Sequence, residues 1–169
     1  GLDAIPAYIT LATLMAPALI DLGVPDIAAH LFVIYWGLAS FYPPPMCIVV
    51  YVTIGISGSR VWETGWEAMR IGIAAFLIPF AFALNPALLM RGDLSEIIVA
   101  AGTASVGAIL VACGVRGFAL SVLRPAPRVL ILVAGLLFIA PGLYFPLGGL
   151  ALAIAGLGLA RLMPARVPA

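Results

Sequence analysis

Charge is what this sequence has least of. Only 9% of its residues are charged, and the formal net charge is +1. Every basic residue is an arginine. So even a balance leaves no electrostatic footprint for a polyanion, which excludes nucleic acid as a partner. Reactive side chains are scarce too. Cys47 and Cys113 lie far apart in apolar stretches, where a thiol behaves as a small hydrophobe and its thiolate is disfavoured. The lone His30 has no second His or Cys at ligand spacing, and the nearby Asp21 and Asp26 fall in an expected loop. A structural or interfacial histidine is therefore expected, with no transition-metal site. The sequence holds no phosphate loop, dinucleotide fingerprint or nucleophile elbow. Because no acid, base and nucleophile fall together, neither enzyme activity nor an organic cofactor is expected. A starting methionine is missing, as are the charged region, short apolar core and cleavage site of a signal peptide. The first residues read as the middle of something longer.

What is present is apolar. Hydrophobic residues make up 64% of the chain and the mean hydropathy is +1.24, beyond what a soluble domain of 169 residues reaches without a grossly apolar surface. The expected class is an all-α integral membrane protein. Charges mark the edges of its apolar runs, giving about five to seven membrane helices, counting a broken helix and short hairpin arms. Residues 5–20 read as a short helix ending at Asp21, closed by Gly23 and Pro25, with Asp26 capping the next. Too short for a comfortable span, it fits the outgoing arm of a hairpin whose tip is residues 1–6. Residues 27–41 and 46–57 read as two half-helices, the second stopped by Gly55, Gly58 and Ser59. In residues 60–70, Trp62 and Trp66 alternate with Glu63, Glu67 and Arg70, the pattern of an interfacial segment with aromatic anchors. Residues 71–90 read as a full span kinked at Pro79, and 97–115 as another. After an arginine-only linker with Arg116, Arg124 and Arg128, residues 129–160 read as two short helices hinged at Pro141-Gly142 and Pro146 to Gly149. A single helix there would be about 48 Å long.

The break between the two half-helices is the most informative feature. Residues 27–59 carry no formal charge, and among them Pro43, Pro44 and Pro45 are consecutive. A proline has no N–H and clashes with the preceding turn, so carbonyls around Ala39 to Pro43 lose their helical partners where lipid offers none. The backbone of Ala39, Ser40, Phe41 and Pro43, with the Ser40 hydroxyl, is therefore a candidate cation site, since hard cations prefer oxygen. The alternative is a kink satisfied by neighbouring helices and water. Tyr42 is a candidate substrate contact, with packing beside the prolines as the alternative. Thr10, Thr13, Thr53 and Ser57 are expected to bond the carbonyl one turn back, and Asn85 to cap freed carbonyls. Thr103 with Gly107, and Gly149 with Ala153, have the small-residue spacing of helix contacts.

Threading the spans alternately puts Arg60, Arg70, Arg116, Arg124 and Arg128 on one side and only Arg91 on the other. The arginine-rich side is expected to be cytoplasmic. A hairpin at 129–160 brings Arg161 and Arg166 to that side and makes the carboxy terminus cytoplasmic.

From Tyr8 to Leu89 the order of features resembles the carboxy-terminal end of the large permease subunit of tripartite ATP-independent periplasmic (TRAP) transporters, in its long fused form. The resemblance is carried by Ala7-Tyr8-Ile9, Leu11 through Leu19 with Met15-Ala16-Pro17, Ala28-Ala29-His30-Leu31-Phe32, Pro44-Pro45, Gly55-Ile56-Ser57-Gly58, Thr64-Gly65-Trp66, Phe80-Ala81-Phe82 and Asn85 through Leu89. It implies that residues 1–92 belong to the permease proper and 93–169 to a hydrophobic extension of fused permeases. It also implies a partial elevator-type fold, in which hairpins and broken helices carry solute past a fixed scaffold. Residues 1–6 would be a hairpin tip and 40–45 the break, with sodium between them. The implied partners are the remaining permease segments, a periplasmic binding protein, an organic acid and the lipid bilayer of a bacterial inner membrane. Two departures stand out. The family's break reads Thr-Pro-Pro, and Pro43 replaces the threonine. The family's tip reads Gly-Leu-Pro-Thr-Thr-Ala, whereas here it is Gly1-Leu2-Asp3-Ala4-Ile5-Pro6. Asp3 is either an oxygen ligand or proton-coupling carboxylate, or a residue in water at a chain end.

Two expectations follow. As a piece of a permease the chain transports nothing alone, and solute uptake by it in liposomes would contradict that. The alternative, a membrane module that only stabilises partner helices, predicts that deleting 93–169 from the complete permease lowers complex stability with transport unchanged. Loss of transport in the deletion would count against it.

Overall fold

The computed structural model describes residues 4–39, 41, 43, 44, 47–119, 121–142 and 144–162. It is an all-α membrane protein made of two compact units, residues 1–89 and 90–169. Three helical stretches are long and apolar enough to cross a membrane: Val61–Leu84, Leu94–Arg116 and Tyr144–Leu162. Its large exposed hydrophobics, such as Ile5, Leu14, Ile56 and Ile98, would be a liability in water but are the ordinary outer surface of a protein solvated by lipid.

The first unit begins with α1 (Ala4–Asp21), which runs through Pro17. Glycine closes it. The Gly23 N–H bonds the Ile20 carbonyl at 2.8 Å and the Val24 N–H bonds the Leu19 carbonyl at 3.0 Å, a closure that needs the positive φ of 91° at Gly23. Leu19 and Val24 then pack against one apolar cluster, Ala16, Ala29 and Val33. The next helix, α2 (Asp26–Ala39), is capped differently from the expectation. Its first bond runs from the Ala29 N–H to the Pro25 carbonyl, so Asp26 lies inside the first turn, where its charge favours the helix dipole. One face of α2, Ala29 and Val33, meets α1.

Past the break comes α3 (Ile48–Ser57), with Cys47 at its N-cap and Gly58 in the left-handed conformation at its end. Of the residues expected to stop it, Gly55 is inside the helix. The amphipathic α4 (Val61–Ile71) exposes Trp62 and Trp66 and buries Gly65. Its ion pairs, Arg60–Glu63 and Arg70–Glu67, are solvent-exposed and each contributes about 0–1 kcal/mol. Only Gly72 separates α4 from α5 (Ile73–Leu84), in which Pro79 is buried. The expected full span at 71–90 is therefore corrected. The α-helix stops at Leu84, because Pro86 drives Asn85 into the extended region (φ −134°, ψ 92°), and a 3₁₀ turn, Pro86–Leu89, follows. At 12 residues α5 is about 18 Å long, and spanning length is reached only together with α4.

In the second unit, α6 (Leu94–Arg116), α7 (Pro125–Ile139) and α8 (Tyr144–Leu162) pack with α7 between the other two. Residues 129–160 thus form a helical hairpin, as expected. Its hinge is narrower than expected, since Pro146 to Gly149 lie within α8. The arginine linker holds a small antiparallel pair, β1 (Phe118–Ala119) and β2 (Ser121–Val122), a detail absent from the sequence reading. The helices approach through glycines. A Cβ on Gly135 would lie 2.7 Å from the Val111 backbone nitrogen and 2.8 Å from the Gly107 carbonyl oxygen, and one on Gly149 would lie 3.0 Å from the Ala134 carbonyl oxygen. Ala153 is buried beside Gly149 on the same helix, in line with the expected contact face. Arg128 closes the end of α6, donating from Nε to the Gly114 carbonyl and from a terminal guanidinium nitrogen to the Val115 carbonyl, both at 2.8 Å. A cation there also complements the helix dipole.

Because the two nearest atoms facing Gly135 are backbone, Gly135→Ala forces α6 and α7 apart. It is expected to cost about 1–3 kcal/mol, seen as a lower melting temperature in detergent. Gly102→Ala, where a Cβ meets nothing within 4 Å, is the matched control and melts at the wild-type temperature or above it, by up to about 1 kcal/mol of added helix propensity. A Gly135→Ala variant that melts as high as Gly102→Ala would contradict the close-approach account.

Candidate functional site

Helix α2 ends at the buried Ala39, and α3 starts after the fully buried Cys47. Between them the chain first tightens: the Phe41 N–H bonds the Leu38 carbonyl at 3.2 Å, three residues back instead of four. Pro43 then sits in a bend and Pro44 in a turn, and Phe41, Pro43 and Pro44 are all half-buried. The carbonyl end of one helix and the N–H end of another therefore flank the break, carrying roughly half a negative and half a positive charge. An end of the first kind suits a cation and an end of the second an anion. At 14 and 10 residues the two helices are about 21 and 15 Å long, so each alone is too short to cross the roughly 30 Å thickness of hydrocarbon.

Of the residues singled out in the sequence, Ala39, Phe41, Pro43 and Pro44 come together here. Ser40, Tyr42, Pro45, Gly1 and Asp3 lie outside the described residues.

The elements around the break are tied by contacts that sequence reading did not anticipate. A ring cluster joins α2 to α5. Phe32 meets Phe80 edge-on at 5.2 Å between centroids, Trp36 meets Phe76 at 5.8 Å and Phe80 at 6.1 Å, and Tyr35 meets Phe82 at 5.6 Å. Edge-to-face pairs of this kind are worth about 0.5–1.5 kcal/mol each beyond the area they bury. The helical spacing of rings 32 and 36 on α2, and 76 and 80 on α5, is a signal that pairing the two helices would have used. On the other side, a chain of hydroxyls links the end of α3 to the start of α4. Ser59 Oγ lies 2.7 Å from Ser57 Oγ and 2.6 Å from Thr64 Oγ1. One residue on, Gly65 faces Pro44 directly, and a Cβ there would lie 2.5 Å from Pro44 Cγ. A glycine inside an otherwise helical pattern costs about 1 kcal/mol against alanine, which was the available clue to a close approach.

Several single-residue expectations hold, while two are corrected. Thr10, Thr13 and Thr53 bond the carbonyls of Pro6, Ile9 and Val49, one turn back. His30 Nδ1 lies 3.3 Å from the Tyr8 hydroxyl, a structural tie between α1 and α2. Ser57 departs from expectation by joining the Ser59 hydroxyl, since the chain turns back there and brings the two together. Asn85 caps in the opposite sense: its side-chain oxygen accepts the Ala87 N–H at 3.2 Å, because the extended residue precedes a 3₁₀ turn whose N–H groups need an acceptor.

Tyr8→Phe removes the tie to His30 and is expected to lower stability by about 0.5–1.5 kcal/mol, measured by thermal unfolding. An unchanged midpoint would reduce the contact to proximity.

A family model for the tripartite ATP-independent periplasmic transporter, DctM component, matches residues 1–97, more than half of the 169-residue chain. No curated protein and no solved structure matched the chain.

Proposed function

Because the chain belongs to the DctM component family of tripartite ATP-independent periplasmic transporters, we propose that its break between α2 and α3 contributes to the coupling-ion site of a sodium-driven importer of an organic acid. Membership makes the protein a membrane permease component of a transporter, associated with other permease components and a periplasmic binding protein. The observation that carries the finer reading is the flanked break itself, two half-helices that meet at a proline run within the matched region. Carbonyls of Ala39, Ser40, Phe41 and Pro43, at the negative end of α2, are the proposed ligands, and the positive end of α3 favours the carboxylate of the solute. Tyr42 is proposed beside that carboxylate. Gly1 and Asp3 are proposed as the facing hairpin tip, with Asp3 supplying an oxygen where the family has threonine. The arginine asymmetry supports a bacterial inner-membrane orientation with Arg60, Arg70, Arg116 and the carboxy terminus on the cytoplasmic side.

A scaffold role is proposed for residues 93–169, as a hydrophobic extension of a fused permease. The close glycine contacts of α6, α7 and α8 support it. Contacts between backbones at that distance hold helices together and leave no room for a solute between them.

The test is uptake by the complete permease with its binding protein in proteoliposomes, across a range of sodium concentrations. Wild type is expected to need sodium. Pro43→Thr restores a hydroxyl and is expected to lower the half-saturating sodium concentration about fivefold, on the scale of one hydrogen-bonding group. Asp3→Asn is expected to abolish coupling. Uptake indifferent to sodium and to both substitutions would remove the ion site and leave the permease assignment standing.

A further inference from the structure

We propose that α4 is a brace seated on the helix break, and that Gly65 is the positioning residue through which this brace sets the geometry of the break. The contact is unusually direct. A Cβ added at residue 65 would lie 2.5 Å from Pro44 Cγ, 3.2 Å from Cδ and 3.6 Å from Cβ. Pro44 cannot swing away as a flexible side chain would, because its ring is closed onto the backbone nitrogen. Any side chain at residue 65 therefore moves either α4 or the backbone of the break.

Two further features hold α4 in that seat. The hydroxyl chain from Ser57 through Ser59 to Thr64 fixes the turn into α4 one residue before Gly65. On the far side, α4 leads through Gly72 into α5, whose Phe76 and Phe80 grip Trp36 of α2. The brace is thus tied to the end of α3 through the hydroxyls and, through α5, to the flank of α2. α3 packs chiefly on α4, while α2 packs on α1 and α5, so a displaced α4 shifts one rim of the break and leaves the other in place. Separating the two rims by a few tenths of an ångström alters ligand distances before it unfolds anything.

The inference rests on the sodium reading of the break for one of its readouts and is independent of it for the other. The experiment uses the complete transporter, reconstituted with its binding protein. Gly65→Ala, Pro44→Ala and the double variant are compared, with Gly55→Ala as the control because a Cβ there meets nothing within 4 Å. The first readout is the half-saturating sodium concentration against the maximal uptake rate. The second is the labelling rate of Cys47 by a small maleimide, in a background without other cysteines, since Cys47 is fully buried at the start of α3.

Gly65→Ala is expected to raise half-saturating sodium about fivefold with a smaller change in maximal rate, and to speed Cys47 labelling. The double variant is expected to return both to within about twofold of Pro44→Ala alone, because alanine at 44 leaves only the ordinary 3.6 Å contact. Gly55→Ala matches wild type. The proposal is overturned if Gly65→Ala changes neither readout, or if the two substitutions act independently in the double variant. A double variant that fails to assemble also overturns it, since no clash would then explain the failure. If uptake ignores sodium while Cys47 labelling rises and is rescued, the brace stands and the sodium site falls.

Discussion

In a stretch without charge, backbone groups are the only strong polar groups available, and lipid leaves them no partner but protein. That constraint governs the first unit. A continuous helix would satisfy every N–H and C=O by itself, and the three prolines forbid it. The chain answers by ending α2 early, tightening once through Phe41 to Leu38 and restarting at Cys47. A protein that merely needed to cross the bilayer would gain nothing from this arrangement. Each freed carbonyl costs several kcal/mol in hydrocarbon unless something occupies it. The family to which the chain belongs is a transporter family, and the ion site proposed at the break would use such carbonyls as ligands.

The two units answer the demand for packing in lipid by different means. Hydrophobic burial drives little association there, so contact must come from shape. Residues 90–162 use small residues: Gly107, Gly114, Gly135, Gly149 and Gly156 allow three helices to touch at backbone distance. Residues 4–89 use rings, with four edge-on or near edge-on pairs locking α2 onto α5. Glycine seams resist any relative shift because no side chain can accommodate one. Ring clusters, with centroids five to six ångströms apart, leave side-chain rotations in which small movements can be absorbed. Close glycine contacts in residues 90–162 and a ring cluster in residues 4–89 are consistent with the scaffold and site roles proposed for the two units.

Much of this was legible in the sequence, and what escaped did so for physical reasons. The membrane class followed from composition. The break followed from prolines, whose effect on a helix is local and obligatory. The hairpin at 129–160 followed from arginine counting together with Pro141-Gly142, and α7 and α8 realise it. The back-bonded threonines also follow from local geometry, where only one carbonyl is within reach. The span at 71–90 was misjudged because hydropathy sees apolar residues and not the effect of Pro86 on Asn85. Asp26 and Asn85 were placed at the right helix ends but in the wrong capping roles, since a cap depends on which residue leaves helical geometry, a matter of one position. The ring cluster and the Gly65 seat join segments far apart in sequence, and only the fold says which glycine meets which proline.

The two rims of the break are held unequally, and this asymmetry bears on how the ion site proposed there would be both specific and releasable. α2 is clamped on one face by α1, through Ala16, Ala29 and Val33, and on another by the rings of α5. α3 leans chiefly on α4, an amphipathic helix with exposed ion pairs and a single glycine at its seat. A cation held only by carbonyls of α2 would meet a preformed half-site whose geometry scarcely varies. Completing that half-site from the α3 side places the adjustable part of the binding energy on the weaker clamp. A shift worth about 1.4 kcal/mol changes occupancy tenfold, which is the scale of a single van der Waals misfit and far below the cost of unfolding either helix. For the ion site proposed at the break, tuning of affinity would therefore be more readily reached from α4 than from the proposed ligands, because the ligands are constrained by the broken backbone while the nearest atoms to a side chain at Gly65 belong to the ring of Pro44.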